Sequence, residues 1–324
     1  MRYATLRSTS SFVPERELTN DMLRARFAER APGVIDKLEA ATGITTRFRM
    51  PDDWATSDLA LRAARAAIDG VCDASDLDLV VVATDSPDFV TPATSVVLQH
   101  KLGATRAGTF DVGCACASFP TAVASAAGLL ATGCAKNALV VGAYAMSKLA
   151  DPDDPISFFY GDGAGAVLLE ASDAPGFLGA AFRADGSFAT RWHIASGGTA
   201  EPASEASVRA GRTRVRLREP YPPEVNDDGW PLLVRRLADA NGFAVRDIDL
   251  LVMTQVRRQT IERVMQRLEL PLDRAPITMD RWGYTGSACI PMALHHARPR
   301  PGQLVVMVGS GVGYNQAAVA MRTR

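Results

Sequence analysis

The chain alternates short, wholly apolar runs with amphipathic stretches of helical period. The run Asp76-Leu77-Asp78-Leu79-Val80-Val81-Val82-Ala83-Thr84 has a counterpart in Asp247-Ile248-Asp249-Leu250-Leu251-Val252-Met253-Thr254. Each is the mark of a strand buried on both faces. An amphipathic helix precedes each, at 57–70 and at 230–242. Thr109-Phe110-Asp111 and Thr278-Met279-Asp280 follow, each opening a charge-poor, small-residue stretch, at 112–135 and 282–294. Further buried strands come next, Ala138-Leu139-Val140-Val141-Gly142 and Leu304-Val305-Val306-Met307-Val308-Gly309. The chain therefore reads as two β-α-β-α-β halves, 1–170 and 171–324, each with its own mixed sheet. Two sheets enclosing two uncharged central helices predict an α/β protein of five layers, α-β-α-β-α. Between the halves, Arg212, Arg214, Arg216 and Arg218 alternate with Thr213, Val215 and Leu217. That spacing predicts four guanidinium groups on one face of a solvated edge strand, guarded by its charge.

The uncharged stretch 112–135 is long enough to cross a bilayer. Its content is mostly Ala, Gly, Ser, Thr and Cys, and Gly113, Pro120, Gly128 and Gly133 interrupt it. A helix buried on all sides within a folded protein fits better than a membrane span. Composition agrees, at 47% hydrophobic and 22% charged over 324 residues. With 35 basic against 36 acidic side chains the net charge is -1, which argues against a nucleic-acid partner. The five cysteines are scattered, and Met1-Arg2-Tyr3-Ala4-Thr5 has no secretory pattern. Free thiols and a cytoplasmic location are expected.

Candidate chemistry gathers where the strand ending at Asp111-Val112 runs into Gly113-Cys114-Ala115-Cys116-Ala117-Ser118-Phe119, with Pro120 suited to the first turn of a helix. A thiol there faces free N–H groups at the positive end of the helix dipole, which lowers its pKa and favours thiolate. Cys72, Cys134 and Cys289 read as small buried hydrophobes. Cys114 and Cys116 lack a second pair or a histidine at zinc-site spacing, so no metal is expected. Two glycine-rich turns, at 161–166 and 309–314, carry no phosphate-loop pattern and read as places where backbone approaches backbone.

Phe110-Asp111-Val112-Gly113-Cys114-Ala115-Cys116-Ala117-Ser118-Phe119 closely resembles the nucleophile segment of the ketoacyl synthase III enzymes, the thiolase-fold initiators of fatty-acid synthesis. Ala138 to Gly142, Asp151-Pro152, the turn at 161–166 and Ala184-Asp185-Gly186-Ser187 resemble the same family in order and spacing. The resemblance covers the chain from Thr42-Gly43-Ile44 to its end. It implies a thiolase fold, a homodimer, and Cys116 in the first half as a nucleophile that takes an acyl group from a thioester. It also implies an oxyanion hole from the backbone of Cys116 and of Ser310 or Gly311, and an acyl pocket lined by Met146, Tyr160 and Trp192. The phosphopantetheine of a carrier protein, or a CoA thioester, would be substrate; no resident cofactor is implied.

The chain departs from the family where the second half-reaction is run. The family's histidine belongs to a His-Gln-Ala-Asn motif, and this chain has Thr254-Gln255-Val256-Arg257. The family's asparagine belongs to Gly-Asn-Thr, and this chain has Gly283-Tyr284-Thr285. Those side chains hold a malonyl thioester while it loses carbon dioxide, each donor contributing about 3 kcal/mol. Thr254 and Tyr284 are expected to face Cys116 as hydrogen-bond donors, and His193, in a pocket-lining segment, is the candidate relocated base. The favoured function is acyl transfer through acyl-Cys116 without decarboxylation, in secondary metabolism. A decarboxylating condensing enzyme is the alternative, and a silent subunit pairing with an active homologue is a third. Lys37 and Ala41 stand where the family clamps the CoA adenine. A carrier-protein donor docking on Arg258, Arg263 and Arg267 is therefore favoured.

Overall fold

The computed structural model describes residues 3–324. In chain order, β1 (Tyr3–Phe12) and β2 (Arg16–Thr19) lead to α1 (Asn20–Phe27), α2 (Val34–Thr42) and β3 (Thr46–Arg49). Then come α3 (Thr56–Ile68), β4 (Leu79–Ala83), α4 (Thr94–Leu102), β5 (Gly108–Val112), α5 (Ser118–Ala131), β6 (Asn137–Tyr144) and β7 (Gly163–Ser172). The chain continues through β8 (Phe177–Ala184), β9 (Trp192–His193), α6 (Glu205–Arg209), β10 (Arg216–Leu217), α7 (Glu224–Asp227) and α8 (Gly229–Asn241). It closes with β11 (Leu250–Met253), α9 (Arg258–Arg267), α10 (Met279–Trp282), α11 (Cys289–Ala297), β12 (Leu304–Gly311) and β13 (Asn315–Arg322).

Two mixed sheets result, ordered β1-β7-β6-β4-β5 and β8-β13-β12-β11. In each, two antiparallel pairings adjoin parallel strands: β4 lies parallel to β6 and β5, as β11 lies parallel to β12. The buried runs explain the layers. Along β4, Val80 and Val82 pack outward with Leu59, Ala63 and Leu98 of α3 and α4. Val81 and Ala83 pack inward with Phe119 and Leu130 of α5. Because strand side chains alternate, both faces of such a strand must be apolar. β12 repeats the pattern, with Val306 and Val308 toward Trp230 and Leu233 of α8 and Val305 and Met307 toward the middle. Each such side chain removed from water contributes about 1.5–3 kcal/mol. α5 and α11 form the central layer, touching both sheets, so the five-layer α/β architecture is the thiolase fold.

Three expectations change. The counterpart of β5 is absent: Thr278-Met279-Asp280 enters the short helix α10 and the second sheet stops at four strands. Its backbone bonds elsewhere, the Thr278 N–H to Gln255 and the Asp280 carbonyl to the Thr45 N–H. α5 is not buried all round, since Ser125, Gly128 and Ala131 are exposed on the flank that neither sheet covers. The arginines do not share a strand face. Only Arg216 lies in β10, bonded to Asp151 and Asp154, while Arg212 holds Glu201 and Arg214 holds the Lys148 carbonyl. No helix among the described residues is long and apolar enough to cross a membrane.

Candidate active site

Cys116 sits in a single 3-10 turn, Ala115–Ala117, between β5 and α5. The turn is forced: Ala115 has φ 48°, a left-handed conformation that costs an alanine energy. The Cys114 N–H is held by the Ser118 hydroxyl at 2.8 Å. β12 presses on the turn from the second sheet. A side chain at Gly311 would overlap the Cys114 carbonyl, so this glycine is what lets the two backbones meet.

The sulfur is buried at 2% exposure and lines a cavity of about 300 Å³. The cavity also takes Asp85, Tyr144, Met146, Tyr160, Trp192, His193, Val215 and Tyr284. The three acyl-pocket residues expected from the sequence thus come together. The Trp192 indole N–H donates to the Tyr160 hydroxyl at 3.2 Å. The Cys116 sulfur shares a hydrogen bond with the Tyr284 hydroxyl. Tyr284 is fixed by backbone bonds on both sides: its N–H donates to Phe159 at 2.7 Å and its carbonyl accepts from Gly161 at 2.9 Å. The Tyr144 ring packs on it at 5.7 Å and fills the space beside Gly286, where φ is +44° and no side chain fits.

The expected lowering of the Cys116 pKa by the helix is not what this setting gives. Burial pushes the thiol well up, and the Asp85 carboxyl and the Cys289 thiol push it further, opposed by the Tyr284 hydroxyl and its own amide. Burial also pushes Tyr284 well above the ordinary tyrosine range, so its hydroxyl stays protonated and can donate. The resting pair is neutral, and thiolate forms only when a neighbouring group takes the proton.

Thr254 does not line the cavity. Its N–H is tied to the Val308 carbonyl at 3.2 Å, and its hydroxyl accepts the Ser310 N–H at 3.0 Å. Ser310 is consumed as well, its hydroxyl donating to Asn226 at 2.7 Å and accepting from the Trp230 indole. The Ser310 N–H is therefore engaged and not free to meet an acyl oxygen. Thr254→Val should cost about 1–3 kcal/mol of stability by leaving that N–H buried without an acceptor. Urea unfolding of the variant measures it.

On α9, Arg258 pairs with Glu262, Arg263 with Asp227 and Arg267 with Asp228. All three guanidinium groups are partly exposed but internally matched. Lys37 lies on α2. His193 reaches the cavity wall, and its Nδ1 is buried without a hydrogen-bond partner.

One residue escapes the sequence reading. Asp85 follows β4, and its carboxyl is pushed up to about 7, chiefly by burial. The signal was its place at the carboxyl end of a parallel strand, where open α/β sheets gather ligands. Cys116 follows the end of neighbouring β5 and Tyr144 ends β6.

Fold and site together define a thiolase-fold protein with a cysteine at a strand–helix junction. Residues 110–186 match the family 3-oxoacyl-[acyl-carrier-protein (ACP)] synthase III, and residues 238–323 match its C-terminal region. The structure is similar to the 3-oxoacyl-(acyl carrier protein) synthase III of Pseudomonas aeruginosa, at 30% identity and a TM-score of 0.88, over 99% of this chain and 98% of that one. It is similar to the corresponding synthase III of Thermus thermophilus, at 28% identity and a TM-score of 0.88, over 99% of both chains. A priming β-ketosynthase of a polyketide biosynthetic pathway matches at 26% identity and a TM-score of 0.89, over 99% of this chain and 96% of that one. The chain belongs to the 3-oxoacyl-ACP synthase III family of condensing and acyl-transferring enzymes.

Proposed function

We propose that this protein is an acyltransferase of secondary metabolism, loading Cys116 from a thioester and passing the acyl group to an acceptor without decarboxylation. The observation that carries the reading is the pairing of the Cys116 sulfur with the Tyr284 hydroxyl. A neutral phenol can hold a thiolate or orient an acceptor. It offers neither the imidazole proton nor the carboxamide that would stabilise an enolate during loss of carbon dioxide. In the first half-reaction the sulfur attacks the thioester carbon and the pantetheine thiol leaves. In the second, the acceptor displaces Cys116, and the acyl oxygen meets the Cys116 N–H throughout.

The donor on this reading is a carrier protein, recognised by α9. The exposed Arg258–Glu262 and Arg267–Asp228 pairs are worth about 0–1 kcal/mol each, so an acidic partner can exchange with those carboxylates at little cost, whereas Arg263 is held by the buried Asp227. Pairing of two copies is supported by the open edge of β5 and by exposed Phe89, Val90 and Val96 in and beside the segment leading into α4. Light scattering should return twice the chain mass.

The test is intact-protein mass after incubation with a panel of acyl thioesters, alongside carbon dioxide release from malonyl carrier protein. Acylation with release near background is expected; release at the rate of an ordinary ketosynthase would make the condensing reaction the better reading. Tyr284→Phe should load normally and transfer about 5- to 100-fold more slowly, the loss of one buried donor. Acyl selection follows from the indole. Trp192→Ala should widen the range of accepted chains, and fast loading of the unaltered protein with a myristoyl chain would contradict a narrow pocket.

A further inference from the structure

We propose that Asp85 is the general base of this site, taking the proton of the attacking group and returning it to the departing sulfur in both half-reactions. The inference rests on the acyl-Cys116 reading and supplies the proton acceptor it lacks.

The geometry is built. Asp85 lines the cavity together with Cys116 and Tyr284. Its neighbours in sequence are clamped: the Ser86 N–H donates to the Thr84 hydroxyl at 3.1 Å, and the Ser86 hydroxyl accepts the Ala145 N–H at 2.8 Å. Farther along the same loop, Asp88 accepts the Ser57 N–H at 2.8 Å and so caps α3. The Asp85 backbone is therefore fixed at the end of β4. Its side chain is left with acceptor capacity to spare. Ser287 is its one side-chain partner among the described residues, at 3.5 Å, and that hydroxyl makes a better bond to the Ala143 carbonyl at 2.8 Å.

The groups around this carboxyl are Cys116 from the nucleophile turn, Tyr144 at the end of β6, Tyr160 before β7, Tyr284 before α11, Cys289 at the start of α11, and His193 across the cavity. No lysine or arginine lines the cavity among the described residues. With burial and no cation, the carboxyl titrates at about 7 and is divided near neutrality between a form that accepts a proton and one that gives it back.

Each step balances. In loading, the Cys116 S–H proton passes to the Asp85 carboxylate, sulfur bonds to the acyl carbon, the thioester C–S bond breaks, and the proton goes to the departing pantetheine sulfur. In transfer, the acceptor O–H or N–H proton passes to Asp85, the new acyl bond forms, the C–S bond to Cys116 breaks, and the proton returns to Cys116.

The experiment measures Cys116 loading from butyryl-pantetheine against pH by intact mass. The unaltered protein should load faster as pH rises and level off above an inflection near 7. Asp85→Asn should load about 100-fold more slowly and lose the inflection. Added formate should restore part of the rate in Asp85→Ser, a response that a merely structural role would not give. His193→Gln should keep the inflection, which covers the case in which an Asp85 variant does not fold. Loading of Asp85→Asn within threefold of the unaltered protein, or an inflection that disappears with His193→Gln, would overturn the assignment. If the unaltered protein accepts no thioester at all, the acyl-enzyme reading fails by itself, and alkylation of Cys116 by iodoacetamide still tests the carboxylate. Slower alkylation in Asp85→Asn supports a proton acceptor. Faster alkylation, as expected from simply removing a negative charge, refutes it.

Discussion

Cys116→Ala should leave the protein folded and without an acyl adduct at position 116 after treatment with any thioester that loads the unaltered chain. None of the other four thiols lines the cavity. Cys289 opens α11 in the same central layer but does not line the cavity; it is 1% exposed, with burial pushing it up to about 12 and the Gln255 N–H directed onto its sulfur at 3.4 Å. Cys114 shares the turn but does not line the cavity, and Cys72 is half-buried on the outer side, with α3 and β4. Cys134 is exposed and is the thiol that a reactive thioester reaches without catalysis. Peptide mapping separates the cases. An adduct lost from the Cys116 peptide, with Cys134 labelled slowly and equally in both proteins, is the expected result. Full retention of the adduct in Cys116→Ala would remove the nucleophile from this account. The change should cost little stability, because the sulfur is small and one wall of its site is cavity.

The strands could be read from the sequence because the two sheets are buried on both faces, and burial writes continuous apolar runs such as Leu79–Ala83 and Leu304–Gly311 into the chain. The turn that carries Cys116 could be placed because small residues followed by Pro120 mark the junction of β5 and α5. What failed depended on partners distant in sequence. Thr278-Met279-Asp280 looks like its first-half counterpart, yet Gln255 and Thr45 capture its backbone and leave no strand. Thr254 stands at the expected strand end, but pairing of β11 with β12 commits its hydroxyl to the Ser310 N–H, and it does not line the cavity. The thiol shift had the wrong sign because the helix start was counted and the burial, which only the assembled layers reveal, was not. Asp85 was missed for a related reason. One aspartate after a buried strand is unremarkable until the ends of β4, β5 and β6 are seen side by side.

Asp85→Asn should be more stable than the unaltered protein at pH 8, and the difference should shrink as pH falls. The sign follows from proton binding. Asp85 titrates at about 7 when folded and at about 3.9 when unfolded, so between those values the native state holds more protons than the unfolded chain. Stability from this group is therefore intact below about pH 4, is lost as pH rises to about 7, and stays reduced above that. Full desolvation sets a ceiling of about 4 kcal/mol at pH 8, and water reaching the half-buried carboxyl from the cavity lowers it. Asparagine keeps the shape and carries no charge, so the cost is absent at every pH. Urea unfolding at pH 5 and pH 8 measures both proteins; carboxylates elsewhere cancel in the comparison. A difference that is the same at both values would mean that Asp85 is not held in a desolvated setting. A difference that grows toward pH 8, together with lost loading, would place this carboxylate among groups kept at the expense of stability because the chemistry needs them.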